Sequence, residues 1–225
     1  MSGMLKKYLK SRDVITAIHS ETLDNNMPKS TMLHAAKELG MLVGPSAICC
    51  ETEFDEGILL DYAEYESWNN KPSAIIKYLQ TASPKNPLEA ELMKGIEYSG
   101  TSLFIVIEVD KWKSCLTLKN LYAQELNIPL MDVNLAKTIV PGLCLFSRLI
   151  PMRDFALTSG FVFAFSPKDT EYLLEKYELK KKAVSVAVRR RKRFVFFYKH
   201  HDISGISHNF RSPDHIAPTS KKRIT

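Results

Sequence analysis

The residues with the most legible chemistry are cations interleaved with aromatic rings. Lys180, Lys181 and Lys182 are followed by Arg189, Arg190, Arg191, Lys192 and Arg193, which run directly into Phe194, Phe196, Phe197 and Tyr198. Cations neutralise phosphates and release counterions, and rings stack on bases for about 1–3 kcal/mol each, so the pattern is that of a single-stranded nucleic-acid contact. Lys111, Trp112 and Lys113 repeat the combination on a smaller scale, and Arg148 and Arg153 flank Pro151. The candidate polyanion-binding set is therefore Lys180 to Lys182, Arg189 to Arg193, Phe197 and Tyr198, with Lys111, Trp112, Arg148 and Arg153 as secondary positions. The same basic run also suits a solvated tail, a membrane-surface segment, or an appendage produced by an altered reading frame after Leu179. Trp112 between lysines equally suits an acidic protein partner, or a ring folded back over the end of a sheet.

Other groupings point to weaker chemistry. Met32 to Met41 has the small residues and terminal Gly40 of the first helix of a helix-turn-helix, so residues 30–50 are a candidate DNA-reading unit. Gly44 and Pro45, however, stand where its second helix begins, and ICCETEFD offers acids where base edges need Lys, Arg, Asn or Gln. Cys49 or Cys50 with His34 or His19 could form a thiol and imidazole pair, opposed by Glu51, Glu53 and Asp55, which disfavour a thiolate. His200, His201, His208 and His215 match no compact metal site. The phosphate-loop, dinucleotide, nucleophile-elbow and zinc-protease motifs are all missing. No catalytic residue, metal or cofactor is expected, and a hydrolytic or thiol enzyme is kept only as an alternative.

Charge divides the chain. From Lys180 to the end there are 13 lysines and arginines against Asp202 and Asp214, whereas residues 1–179 are net acidic. A hydrophobic content of 45% is that of a globular protein. Four cysteines without C-x-x-C spacing read as reduced thiols of a cytoplasmic protein. The N-terminus lacks the apolar run of a signal peptide, and no apolar stretch approaches the ~20 residues needed to span a bilayer.

Stepping from these groups to the elements that carry them, residues 1–99 read as short helices. Ser30 and Gly40 bracket one over Thr31 to Leu39. Thr52 and Asp55 form a capping box for another, whose acids Glu53, Asp55, Asp61, Glu64 and Glu66 should make a solvated outer face. Pro72 precedes a helix over Ala74 to Thr81, and Asn86 with Pro87 starts one over Leu88 to Tyr98. At Ser102 the period changes. Leu103 to Asp110, Ser114 to Leu118, Pro129 to Asn134, Leu143 to Ile150 and Phe155 to Phe165 read as strands, the last bent at Gly160, and their short connections predict a small antiparallel barrel or half-barrel. A helix follows from Lys168 to about Leu179. Ala183 to Val188 alternates like a strand, and residues 199–225 are expected to be disordered.

The segments AAKELGMLVG and ETEFDEGILLDYAEYE, followed by TSLFIVIEVD, SCLTLKNL and PGLCLFSRLIPMRDFALTSGFVFAF, resemble a group of bacterial proteins that pair a helical N-terminal part with a compact β region. Some of those proteins end in a Cys/His zinc motif of the SEC-C type, which is absent here because no cysteine follows Cys144. The resemblance covers about residues 35–166 and implies no activity. The expectation is an α+β protein with a helical region over 1–99, a small barrel-like region with a closing helix over 100–179, and a basic, partly disordered tail over 180–225. The expected role is non-catalytic binding or regulation in the bacterial cytoplasm, with nucleic acid, another polyanion or a protein as partner.

Overall fold

The computed structural model describes residues 3–69, 71–123, 127–179 and 185–206. The fold is α+β, built around a small closed barrel. Strands β3 (Gly100–Asp110), β4 (Cys115–Asn120), β5 (Ile128–Met131), β6 (Cys144–Pro151) and β7 (Ala156–Thr158) pair in the order β3-β4-β5-β7-β6, and β6 returns to β3. Closure depends on the length of β3. Its first half, Gly100 to Ile105, pairs with β6, its second half pairs with β4, and an irregularity between Val106 and Glu108 bends it from one partner to the other. The β5–β7 pairing is parallel, and a short helix, α6 (Leu135–Thr138), joins the third barrel strand to the fourth. This strand order is that of an OB-type Greek-key barrel. A last strand, β8 (Phe163–Phe165), continues β7 along the same edge of β6 after a break at Gly160, whose φ of 150° suits glycine.

β6 is buried on both faces, so its alternation sorts the cores. Leu145 and Leu149 point into the barrel with Phe104, Leu116, Leu118 and Leu130. Cys144 and Phe146 face outward into one helical layer and Ile150 into another, with Arg148 between them. The layer over Ile150 comprises α1 (Gly3–Asn26), α4 (Ala74–Thr81) and α5 (Pro87–Glu97), through Ile15, Ile18, Ile75, Leu92 and Ile96. α5 lies so close to the barrel that a Cβ on Gly95 would meet Pro151 O at 2.4 Å. The other layer comprises α2 (Lys29–Leu39), the hairpin β1 (Leu42–Val43) and β2 (Ala47–Ile48), α3 (Glu53–Tyr65), α7 (Pro167–Leu179) and α8 (Val186–Ser204).

The predicted punctuation is present at several ends. Gly40 closes α2 at φ 84°, and Thr52 with Asp55 forms the capping box of α3. Asn86 accepts from Glu89 N at the start of α5. Five expectations need correction. Gly3–Asn26 is one long helix rather than short ones, and Pro28, without a side-chain cap bond, precedes α2. Residues 30–50 form a helix and a β-hairpin, so there is no recognition helix. Asp61, Glu64 and Glu66 are buried, not a solvated face.

The largest correction concerns the basic segment, which is no detached tail over 185–206. α8 places Phe194, Phe197 and His201 at helical spacing against the barrel. Phe197 stacks on Phe146 at 4.4 Å, Phe194 lies 4.9 Å from Phe161 and 4.6 Å from Tyr62, and His201 lies 5.0 Å from Phe163. Rings of this size bury far more apolar area than an alternating Val-Ala run gains as an edge strand, which explains why helix wins here. Lys180, Lys181 and Lys182, Ala183 and Val184 of the expected strand, and residues 207–225 lie outside the described residues.

Phe197→Ala should therefore lower unfolding free energy by about 3–5 kcal/mol, as for other buried rings. Urea unfolding would measure it, and a loss below about 1 kcal/mol would mean that α8 is not part of the core.

Candidate functional site

Two places concentrate chemistry, one buried and one exposed. The buried one starts from α3. Asp61 lies three residues after Ile58 and four before Tyr65, so it follows the apolar stripe of the helix into the interior. Arg148 projects from β6 to meet it. Its Nε lies 3.2 Å from Asp61 Oδ1 and its Nη2 lies 2.9 Å from Glu66 Oε1, and all three residues are less than a tenth exposed. The guanidinium also lies over the Tyr65 ring at 4.3 Å, and Tyr65 Oη is 2.9 Å from His19 Nε2 of α1.

Glu64 completes the cluster at 1% exposure. Burial, reinforced by the nearby Asp61 charge, pushes its carboxyl up to about 9, so it is protonated at neutral pH. Thr22 beside it opposes this shift, and the Thr22 hydroxyl donates to Ile18 O. Burial, with the charges of Arg12 and Arg148, takes His19 down to about 4 and keeps it neutral. Burial raises Asp61, opposed by Arg148, and the paired carboxylates hold Arg148 firmly charged. Ser159 stands beside Asp61, but neither Asp61 Oδ2 nor Ser159 Oγ completes a hydrogen bond of good geometry among the described residues.

A raised carboxyl beside an ionised one is the arrangement that acid–base catalysis uses. Here each group is shielded from solvent, so no substrate reaches them without movement of α1 or α3. The cluster's evident work is to join α1, α3 and the barrel. Arg148, expected as a polyanion contact, is consumed by it.

The exposed place is one end of the barrel. The β3–β4 hairpin tip carries Lys111, Trp112 and Lys113, with Trp112 99% exposed. The tip is pinned: Lys113 N donates to Asp110 Oδ1, Lys113 Nζ pairs with Asp110 at 2.8 Å, and Ser114 O accepts from Asp132 N. The β6–β7 loop, which leaves β6 toward the Gly100 end of β3 and so away from this tip, carries Arg153, exposed, with its N–H donating to Glu91 Oε1, while Lys7 of α1 bridges Glu91 and Asp154 at 3.0 Å each.

The remaining predicted residues separate. Phe197 is fully buried and Tyr198 half-buried, so neither ring of the predicted pair presents an open face to a base. Arg191 Nη1 donates to Ser67 O at 2.6 Å, pairs with Glu38 and lies over Trp68 at 4.8 Å, and Arg193 donates to Thr101 O and Oγ1. Both are structural. Arg189, Arg190 and Lys192 are exposed. They lie toward the Thr101 end of β3, and Asp110 at its other end is about 30 Å further along the strand. Trp112 and α8 therefore do not form one footprint. Of the thiols, Cys49 is exposed and Cys50 half-buried, its pKa raised to about 11 by burial and by Asp55 and Glu56, the reverse of an activated nucleophile.

The sequence reading set Glu64 on a solvated face and paired His19 with a thiol, and it passed over Tyr65 and the inward role of Asp61 and Glu66. Two signals pointed to them: carboxylates at core spacing on α3, and a lone arginine inside the apolar run LCLFSRLI.

Arg148→Met should cost about 3–5 kcal/mol, because it strands two buried carboxylates. Thermal or urea unfolding reads this directly. Folded Glu64 keeps its proton up to about pH 9, whereas the unfolded side chain releases it near 4.5. Its contribution is thus complete below pH 4.5 and lost as pH rises to about 9. The stability of the wild type relative to Glu64→Gln should decline steadily across that window in pH-resolved urea titrations. His19 acts oppositely, its contribution being lost as pH falls from 6.5 to about 4.

Among the described residues no helix is long and apolar enough to cross a membrane, and no group of His, Cys, Asp and Glu is arranged to hold a metal. No curated protein and no solved structure matches the chain. A family model matches residues 3–211, which spans the helical layers, the barrel and α8 together. The chain belongs to that family, a family of unknown function designated DUF7986.

Proposed function

We propose that this is a non-catalytic binding protein of the cytoplasm that contacts single-stranded nucleic acid at the β3–β4 hairpin end of its barrel. One observation carries the reading: Trp112 stands 99% exposed between two lysines on a hairpin tip that is pinned rather than floppy. A fully solvated indole is costly to leave in water and gains most by stacking, and its rigid mounting reduces the ordering entropy of binding. Lys111 beside it supplies a phosphate contact. Barrels of this strand order display ligand-binding loops at this end, an analogy of fold that adds weight but carries no function by itself. The four free thiols suit a reducing compartment.

A second reading keeps the polyanion and moves the contact to α8, because Arg189, Arg190, Lys192 and Lys199 are exposed on one helix. The structure puts that surface at the far end of the barrel, so the two readings separate by mutation.

Fluorescence anisotropy with a labelled oligo-dT or oligo-U of about 20 nucleotides, at ~50 mM salt where electrostatic binding is strong, tests both. Trp112→Ala should weaken binding by about 1–3 kcal/mol, the value of one stacked base. Arg190→Glu with Lys192→Glu should leave it within about twofold. The reverse pattern transfers the site to α8. Absence of binding by the wild type ends the nucleic-acid reading and leaves the Trp112 tip to a protein partner.

A further inference from the structure

A groove of about 320 Å³ opens between α1, α2, α3 and the β1–β2 hairpin, remote from the barrel end. Its walls are Leu23 and Met27 of the α1 terminus, Met32 and Leu33 of α2, Ile48 of β2 and Leu60 of α3. That volume falls at the small end of the range for small-molecule sites. Two walls are methionines, whose flexible thioethers adapt to an apolar guest better than branched side chains do. The hairpin that forms the remaining wall pairs Leu42 with Ile48 and Val43 with Ala47, and Cys49 N donates to Met41 O at its base.

The mouth of the groove differs in chemistry from its floor. Lys29, exposed, and Ser46 of the hairpin tip line it. Lys29 opens α2, and Pro28 before it has no side chain to cap the first turn, so the positive end of that helix adds to the lysine charge. An apolar channel with a cation at its lip is complementary to a molecule with an apolar body and an anionic end.

We propose that this groove binds a single-chain anionic amphiphile, a medium-chain carboxylate, with its hydrocarbon along Met27, Met32, Leu33 and Leu60 and its carboxylate at Lys29. The site is separate from the Trp112 surface and does not depend on the nucleic-acid reading.

The test is a titration of the full chain with dodecanoate below its micelle concentration, followed through the ¹³C-methyl signals of its 8 methionines. Saturable one-to-one binding is expected, with Met27 and Met32 shifting and Met93, Met131 and Met152 unmoved. Lys29→Glu alters an exposed residue, so the fold should persist, and it replaces an attraction by a repulsion. It should weaken dodecanoate binding about five- to tenfold and leave dodecanol binding unchanged. Failure to saturate, shifts spread over the other methionines, or equal binding of dodecanol and dodecanoate by the wild type would each overturn the assignment.

Discussion

Arg148 occupies the middle of β6, a strand buried on both faces, and its guanidinium lies between the two helical layers. Outward side chains before it on β6 pack under α3 and α8, and the one after it packs under α1, α4 and α5. Two ion pairs to α3 and a ring contact to Tyr65 let a single charge close this seam. A charge so far from water is tolerated only because both its partners sit within 3.2 Å. The neutral state of His19 and the protonated state of Glu64 follow from the same low-dielectric setting. Helical region and barrel are one unit because this cluster belongs to both.

The aromatic layer provides most of the apolar attraction around that seam. Phe146, Phe161 and Phe163 from the barrel meet Tyr62 from α3 and Phe194 and Phe197 from α8. Arg191 and Arg193 fit the same layer because a guanidinium can lie on a ring while its N–H groups reach backbone carbonyls. Arg191 and Arg193 are thus scaffold, whereas Arg189, Arg190, Lys192 and Lys199 of the same helix stay exposed. The surfaces proposed for recognition are a rigid indole at one barrel end and an apolar groove beside the β1–β2 hairpin.

Much of the scaffold was legible from local chemistry. Thr52 with Asp55, Asn86 with Pro87, and Gly40 mark helix ends because a cap needs only the residues beside it. The change of period at Ser102 and the break at Gly160 announced the barrel. α8 was misread because Ala183 to Val188 alternates, while the stripe that decides the matter, Phe194, Phe197 and His201, lies downstream in a segment whose charge suggested a tail. Asp61 and Glu64 were misread because acids on a helix are usually solvated. Trp112, Lys111 and Arg153 are exposed on loops, since loop-tip residues keep the surroundings that their neighbours in sequence imply.

By itself the sequence determined the helix caps, the strand run, the barrel class and the loop tip, all of which rest on interactions within a few residues. Tertiary structure alone decided that Arg148 is a buried clamp, that Glu64 holds a proton, that α8 docks, and that the α8 cations and Trp112 stand at opposite ends of the barrel. The physical reason is common to all four. Burial and charge pairing are set by residues 80 or more positions apart, as Arg148 and Glu66 are, and no local pattern encodes which of them meet.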